Sequence, residues 1–221
     1  SKIANEYLRG QKDLSSEQNL LILNEATTYA DSYVFGVFIK NRNKVEAVTS
    51  KEAVEEKIIN ACMATANKAI EFESRDLLEE AWDKMGKHYP EKADGFMAKT
   101  EMMYSLAFKD GKSYLKAARK YAKKEIADNP DELTKVAVTV VQKFKGDKKA
   151  MNFAEDCAKQ AATISGKYDY DLNYAGILFE NGKKDEAVKI AEQALVKAKE
   201  VGPKASVRVE MFLKKIKEGR S

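Results

Sequence analysis

The feature that most constrains this chain is a pattern of small residues that returns through its second half at the spacing of paired helices. It is clearest from Tyr174 to Ala187, continuing to Ala191, Ala194 and Leu195, where alanine and glycine fall at positions that bring two helices close together. A large residue at such a position would push the helices apart. A weaker copy of the second helix runs through Gly146, Ala150, Phe153, Ala154, Cys157, Ala158 and Ala161. A third, more degenerate copy spans Met103-Tyr104, Gly111, Tyr114, Ala117, Ala118 and Tyr121 as far as Pro130. Three helix pairs suffice to bury a continuous core by stacking. The expected fold is therefore all-α, with antiparallel helix hairpins forming an α-solenoid and no sheet. Residues 1–90 are expected to form an N-terminal helical region packed on the array. Residues 91–221 would hold the repeats and a C-terminal capping helix, the whole forming two parts or one continuous domain.

Apolar periodicity extends helices over nearly all the remaining chain. Leu133, Val136, Ala137, Val140, Val141 and Phe144 recur at three- and four-residue steps after Pro130, so periodicity overrides their β-branched content. Asn129 is the expected N-cap, with Pro130 at the first helical position and Glu132 able to reach back to the cap. A second long helix is expected from Ser50 to Glu71, with Thr49 and Glu52 at capping-box spacing. Ser15 and Gln18 are expected to open a helix through Leu20 and Leu23, and Asp31 to cap one carrying Val34, Phe35, Phe38 and Ile39. Residues 33–39 are dense in aromatic and β-branched side chains, and their pattern fits a helix or a strand. Gly111, Gly146, Gly182 and Gly202 are expected to close helices in the left-handed conformation. With only 3 Pro and 11 Gly in 221 residues, few turns remain to be made.

Catalytic chemistry finds little to work with. Lys and Arg (39) nearly cancel Asp and Glu (35), and the signs are interspersed, so no polyanion-binding face is implied. Lys214, Lys215 and Lys217 read as a solvated helix face and not as a nucleic-acid contact. The one histidine, His88, falls in the loop-like run Gly86-Lys87-His88-Tyr89-Pro90, where a polar loop role is expected. Cys62 and Cys157 make no CxxC and sit among apolar neighbours, the pattern of small buried hydrophobes. No GxxxxGK[ST] and no strand-borne GxGxxG occurs. The expectation is a chain that is not an enzyme and needs no cofactor or metal. No apolar run is long enough to span a membrane. The start, Ser1-Lys2-Ile3, shows neither a signal peptide nor an initiator Met and reads as a piece of a longer chain. Trp82, Tyr89, Phe96, Tyr104, Phe108, Tyr114 and Tyr121 are expected to pack between helices.

The segment Tyr174 to Ala187 resembles a tetratricopeptide repeat. Ala175 matches the small residue of its first helix, Gly182 the inter-helix glycine, and Ala187 and Ala194 the small residues of its second. Ala191 stands where an aromatic is usual and Lys199 where proline is usual. With Asp31 to Asn43, Glu52 to Ile59 and Gly111-Lys112-Ser113-Tyr114, the arrangement resembles the helical C-terminal region of a bacterial extracytoplasmic thioredoxin-family protein. The resemblance implies an accessory, protein-binding module of a periplasmic thiol-disulfide oxidoreductase whose thioredoxin domain lies outside this chain. Its partners would be a protein or peptide, such as that domain and its clients. It also implies a concave binding face built by Asp169, Leu172, Gly176 and Phe179. The alternative is a freestanding helical-repeat adaptor unrelated to thiol chemistry.

Overall fold

The computed structural model describes residues 2–11 and 13–219, and among them thirteen helices and no strand are present. The chain divides into two compact units, Ser1–Asp110 and Gly111–Ser221.

The first unit holds α1 (Lys2–Gly10), α2 (Glu17–Ala26), α3 (Tyr33–Lys40), α4 (Arg42–Val48), α5 (Lys51–Glu71), α6 (Arg75–His88) and α7 (Pro90–Ala107). The stretch open to either strand or helix is the helix α3. Ser32 caps it by accepting from the Phe35 amide at 3.1 Å, and Val34, Phe35 and Phe38 share the side turned into the core. Three expected caps prove to be one residue early. Ser16, Ser32 and Ser50 do the capping in place of Ser15, Asp31 and Thr49. Each displaced residue is occupied elsewhere: the Ser15 hydroxyl accepts from Lys44, and the Thr49 hydroxyl donates to the Val45 carbonyl at 2.7 Å. Asp31 binds Lys68 and accepts from Thr65, whose hydroxyl oxygen in turn accepts from the buried Ala30 amide at 2.8 Å. Large side chains fill the centre. Leu23, Phe35, Phe38, Val45, Val54, Ile58, Leu78 and Met85 are all buried.

Along α6 and α7, Trp82 donates to Thr100 Oγ1 at 2.8 Å, while Arg75 lies over the Trp82 ring and pairs with Glu101 at 2.7 Å. Of the aromatics expected between helices, Tyr89, Phe96 and Tyr114 are buried, whereas Phe108 is 38% exposed at the end of α7.

The second unit holds α8 (Gly111–Lys124), α9 (Pro130–Phe144), α10 (Lys148–Ser165), α11 (Tyr168–Glu180), α12 (Lys184–Val201) and α13 (Pro203–Lys217). From α9 onward each helix packs on the next, most extensively within the pairs α9–α10 and α11–α12, and α11 also reaches back to α9. Asn129 caps α9 through the Glu132 amide at 3.1 Å, as expected, but the Glu132 carboxylate pairs with Lys135 at 2.6 Å. Alanines make the helix contacts: Ala137, Ala154, Ala161, Ala175, Ala187, Ala191 and Ala194 are fully buried. In the α11–α12 turn, Lys183 and Asn181 both bind Glu155 of α10, at 2.7 and 2.8 Å.

The glycines divide by cause. Gly182 and Gly202 do take positive φ, 80° and 141°, and Gly166 at 67° closes α10. Gly111 and Gly146 do not. Gly111 instead starts α8, where an added Cβ would meet the Phe144 ring at 3.0 Å, a tight approach that would make the ring shift. The left-handed residue that follows α7 is Lys109, at φ 58°, with the Asp110 amide donating to the Ser105 carbonyl at 2.8 Å. The third sequence copy is thereby divided: Met103 and Tyr104 belong to α7 in the first unit, while Gly111 to Tyr121 belong to α8 in the second.

Candidate functional site: a groove across α9, α11 and α13

Alternate helices of the second unit line an open groove of about 430 Å³. Its size falls in the range of ligand-binding clefts, about 300–1,000 Å³. The three helices come to one side because each is separated from the next by an intervening helix of the hairpin series, α10 or α12. From α9 come Val138, Val141 and Gln142. From α13 come Arg208, Phe212, Lys215 and Ile216. The middle helix supplies Leu172, Asn173, Gly176, Ile177, Phe179 and Glu180.

Three of the four residues assigned to a concave face, Leu172, Gly176 and Phe179, therefore line this groove. Asp169 does not line it, but its carboxylate lies 3.5 Å from the guanidinium of Arg208, which does. The contributions of α9 and α13 were not singled out from sequence as groove residues. Their signal was present: Arg208, Phe212 and Lys215 follow one another at four- and three-residue steps, beside the stripe of Val209, Leu213 and Ile216 that is buried. Val207, also on α13, is 51% exposed.

Gly176 is the unusual member. It lies in the interior of α11 without a positive φ, and a Cβ built on it meets no atom within 4 Å. Neither backbone conformation nor helix packing calls for glycine, although glycine costs a helix interior about 1 kcal/mol relative to alanine. What its lack of a side chain does provide is open space in the groove floor.

The polar groups around the groove are unequally satisfied. Glu180 is bound by Lys145 at 2.5 Å. Lys215 has no acidic partner among the described residues, and the side-chain amides of Gln142 and Asn173 have no hydrogen-bond partner there either.

The remaining reactive side chains lie elsewhere. Cys62 and Cys157 are free and buried, on α5 and α10. Burial pushes each thiol up to about 12, which keeps both protonated and poorly nucleophilic at neutral pH. His88 is not a loop residue: it ends α6, half-buried, with its ring edge-on to Phe35 at 6.0 Å between centroids. Burial, reinforced by Lys87, Arg42 and Lys84, lowers its pKa and favours the neutral ring. Among the described residues no three or more of His, Cys, Asp and Glu converge as a metal site would require, and no helix is long and apolar enough to cross a membrane. No protein-family model, curated protein or solved structure matches the chain.

Proposed function

We propose that this chain is a non-catalytic protein-interaction module whose binding face is the groove across α9, α11 and α13. The observation that carries this reading is Gly176: a helix-interior glycine that no packing contact requires, set in the floor of a groove lined by apolar side chains and a few polar ones. The helices of the second unit are read as a tetratricopeptide-like array, with α9 and α11 as first helices, α10 and α12 as second helices, and α13 as the cap. Support for this comes from the buried Ala175, Ala187 and Ala194, the left-handed Gly182, and the contact of α11 with α9.

The wider reading is an accessory module of an extracytoplasmic thioredoxin-family oxidoreductase, acting in the periplasm on a protein or peptide partner. It rests on the sequence resemblance from Asp31 to Asn43 and at the three other motifs. The buried, protonated thiols fit a division of labour in which redox chemistry resides outside this chain and the array raises the local concentration of a client.

Selection of a random peptide library on the full chain tests the binding role. A recurring motif is expected with the wild type and not with Gly176→Leu, which fills the groove without disturbing the backbone. Absence of any motif, or the same motif with both proteins, overturns it. Adding the chain to a thioredoxin-domain reductase in cis tests the wider reading: reduction of protein clients, and not of a small disulfide, should depend on the array.

A further inference from the structure

We infer that the groove takes a peptide segment in which an acidic side chain sits among aliphatic residues, the carboxylate meeting Lys215. This rests on the docking reading above and specifies its partner. The groove is apolar along Val138, Val141, Ile177, Phe179 and Phe212, so most of an occupant's contact must be apolar. Charge decides the rest. Of the three ionic side chains lining the groove, Glu180 already holds Lys145 at 2.5 Å, and Arg208 approaches Asp169 at 3.5 Å. Lys215 alone has no counter-ion among the described residues.

An acidic partner therefore finds a free cation, with Arg208 close enough to its own loose carboxylate contact to turn toward a second anion. A basic partner finds no free anion and two like charges, and such juxtaposition is unfavourable. Gln142 and Asn173 offer unengaged amide donors and acceptors on α9 and α11. They are suited to the backbone groups of an extended segment, which must be satisfied when it leaves water.

The test uses the full chain and fluorescein-labelled twelve-residue peptides, acetylated and C-terminally amidated so that side chains carry the only charges. Three probes share an alternating leucine framework and differ in the intervening residues: glutamate, glutamine or lysine. The glutamate probe should bind tightest by fluorescence anisotropy, and Lys215→Glu should weaken it by about tenfold, as reversal of a free cation at a binding rim implies. Lys189→Glu, an exposed α12 substitution of equal charge change away from the groove, should leave binding within about twofold.

Equal binding of all three probes, lost in Gly176→Leu, overturns the acidic preference and leaves the docking role intact. Binding that Gly176→Leu does not alter removes both. Concentration-dependent self-association abolished by Gly176→Leu would identify a second copy as the occupant and overturn the inference. A glutamate-probe affinity that falls equally in Lys215→Glu and Lys189→Glu would also overturn it, because the attraction would then be to net charge alone.

Discussion

The two units of the chain fill their interiors in different proportions, and the second carries the groove across α9, α11 and α13. In Ser1–Asp110 the centre is occupied by Phe35, Phe38, Leu23, Ile58, Leu78 and Met85, large side chains contributed by helices of unequal length. In Gly111–Ser221 large side chains such as Tyr114, Leu133 and Leu178 are also buried, but buried alanines are more numerous, as in Ala154, Ala158 and Ala161 of α10, Ala175 of α11 and Ala187, Ala191 and Ala194 of α12. Alanine contacts let backbones approach closely, but they fill little volume outside the contact. A series of such hairpins can close its core and still leave one side of its alternate helices uncovered. The groove is a consequence of that packing mode, and Gly176 deepens it.

The sharpest way to break this comparison is to reverse the size of a buried residue in each unit. Phe38→Ala leaves a large void at a fully buried site and should cost about 3–5 kcal/mol. Ala175→Leu inserts volume where helices touch and should cost about 1–3 kcal/mol. Urea unfolding followed by circular dichroism measures both. Trp82, the single tryptophan, lies in the first unit and reports on it by fluorescence, so the Phe38→Ala shift should appear in both signals. A harmless Ala175→Leu would mean that the second unit is not held together by close alanine contacts.

A smaller effect of opposite sign separates groove from framework. Gly36 in α3, Gly86 in α6 and Gly176 in α11 all have open space at their Cβ positions and no positive φ. Alanine at each should stabilise the chain by about 0.5–1 kcal/mol, seen as a higher unfolding midpoint. Only substitution at Gly176 should change peptide binding. A loss of stability in Gly176→Ala would show that the glycine serves packing after all.

How far the sequence speaks depends on whether a signal is local. Periodicity located the long helices because a stripe such as Leu133–Val136–Ala137–Val140 needs only one helix to be read. Caps were placed one residue early at Ser15, Asp31 and Thr49 because adjacent polar residues compete, and tertiary partners settle which one is free to cap. Asp31 looks like a cap until Lys68 and Thr65, far along the chain, engage it. Glycine proved ambiguous for the same reason. Gly111 lies close against the Phe144 ring, a contact that no local pattern contains, while Lys109 adopts the left-handed turn without looking like a terminator. The repeat resemblance pointed to the groove only on α11, although the spacing of Arg208, Phe212 and Lys215 on α13 carried a signal of its own. The groove's other walls depend on which face of α9 and α13 remains uncovered after the helices stack.

The smallest expected effect concerns pH and discriminates the units by composition. The only histidine is His88, in the first unit, and burial beside Phe35 lowers its pKa below the ordinary 6.5. Above 6.5 the ring is neutral in both folded and unfolded chains and its contribution to stability is full. As pH falls below 6.5, the unfolded chain takes up the proton first, so stability declines until the folded ring protonates as well. Between pH 7.5 and 5.5 the urea midpoint read from Trp82 fluorescence should therefore fall in the wild type. In His88→Gln, which keeps a polar side chain of similar length and removes the titration, the midpoint should stay nearly constant over that interval. An unchanged pH slope in His88→Gln would assign the effect to carboxylates, and a rise in stability on acidification would mean that the charged ring is favoured in the fold, against the direction set by its burial.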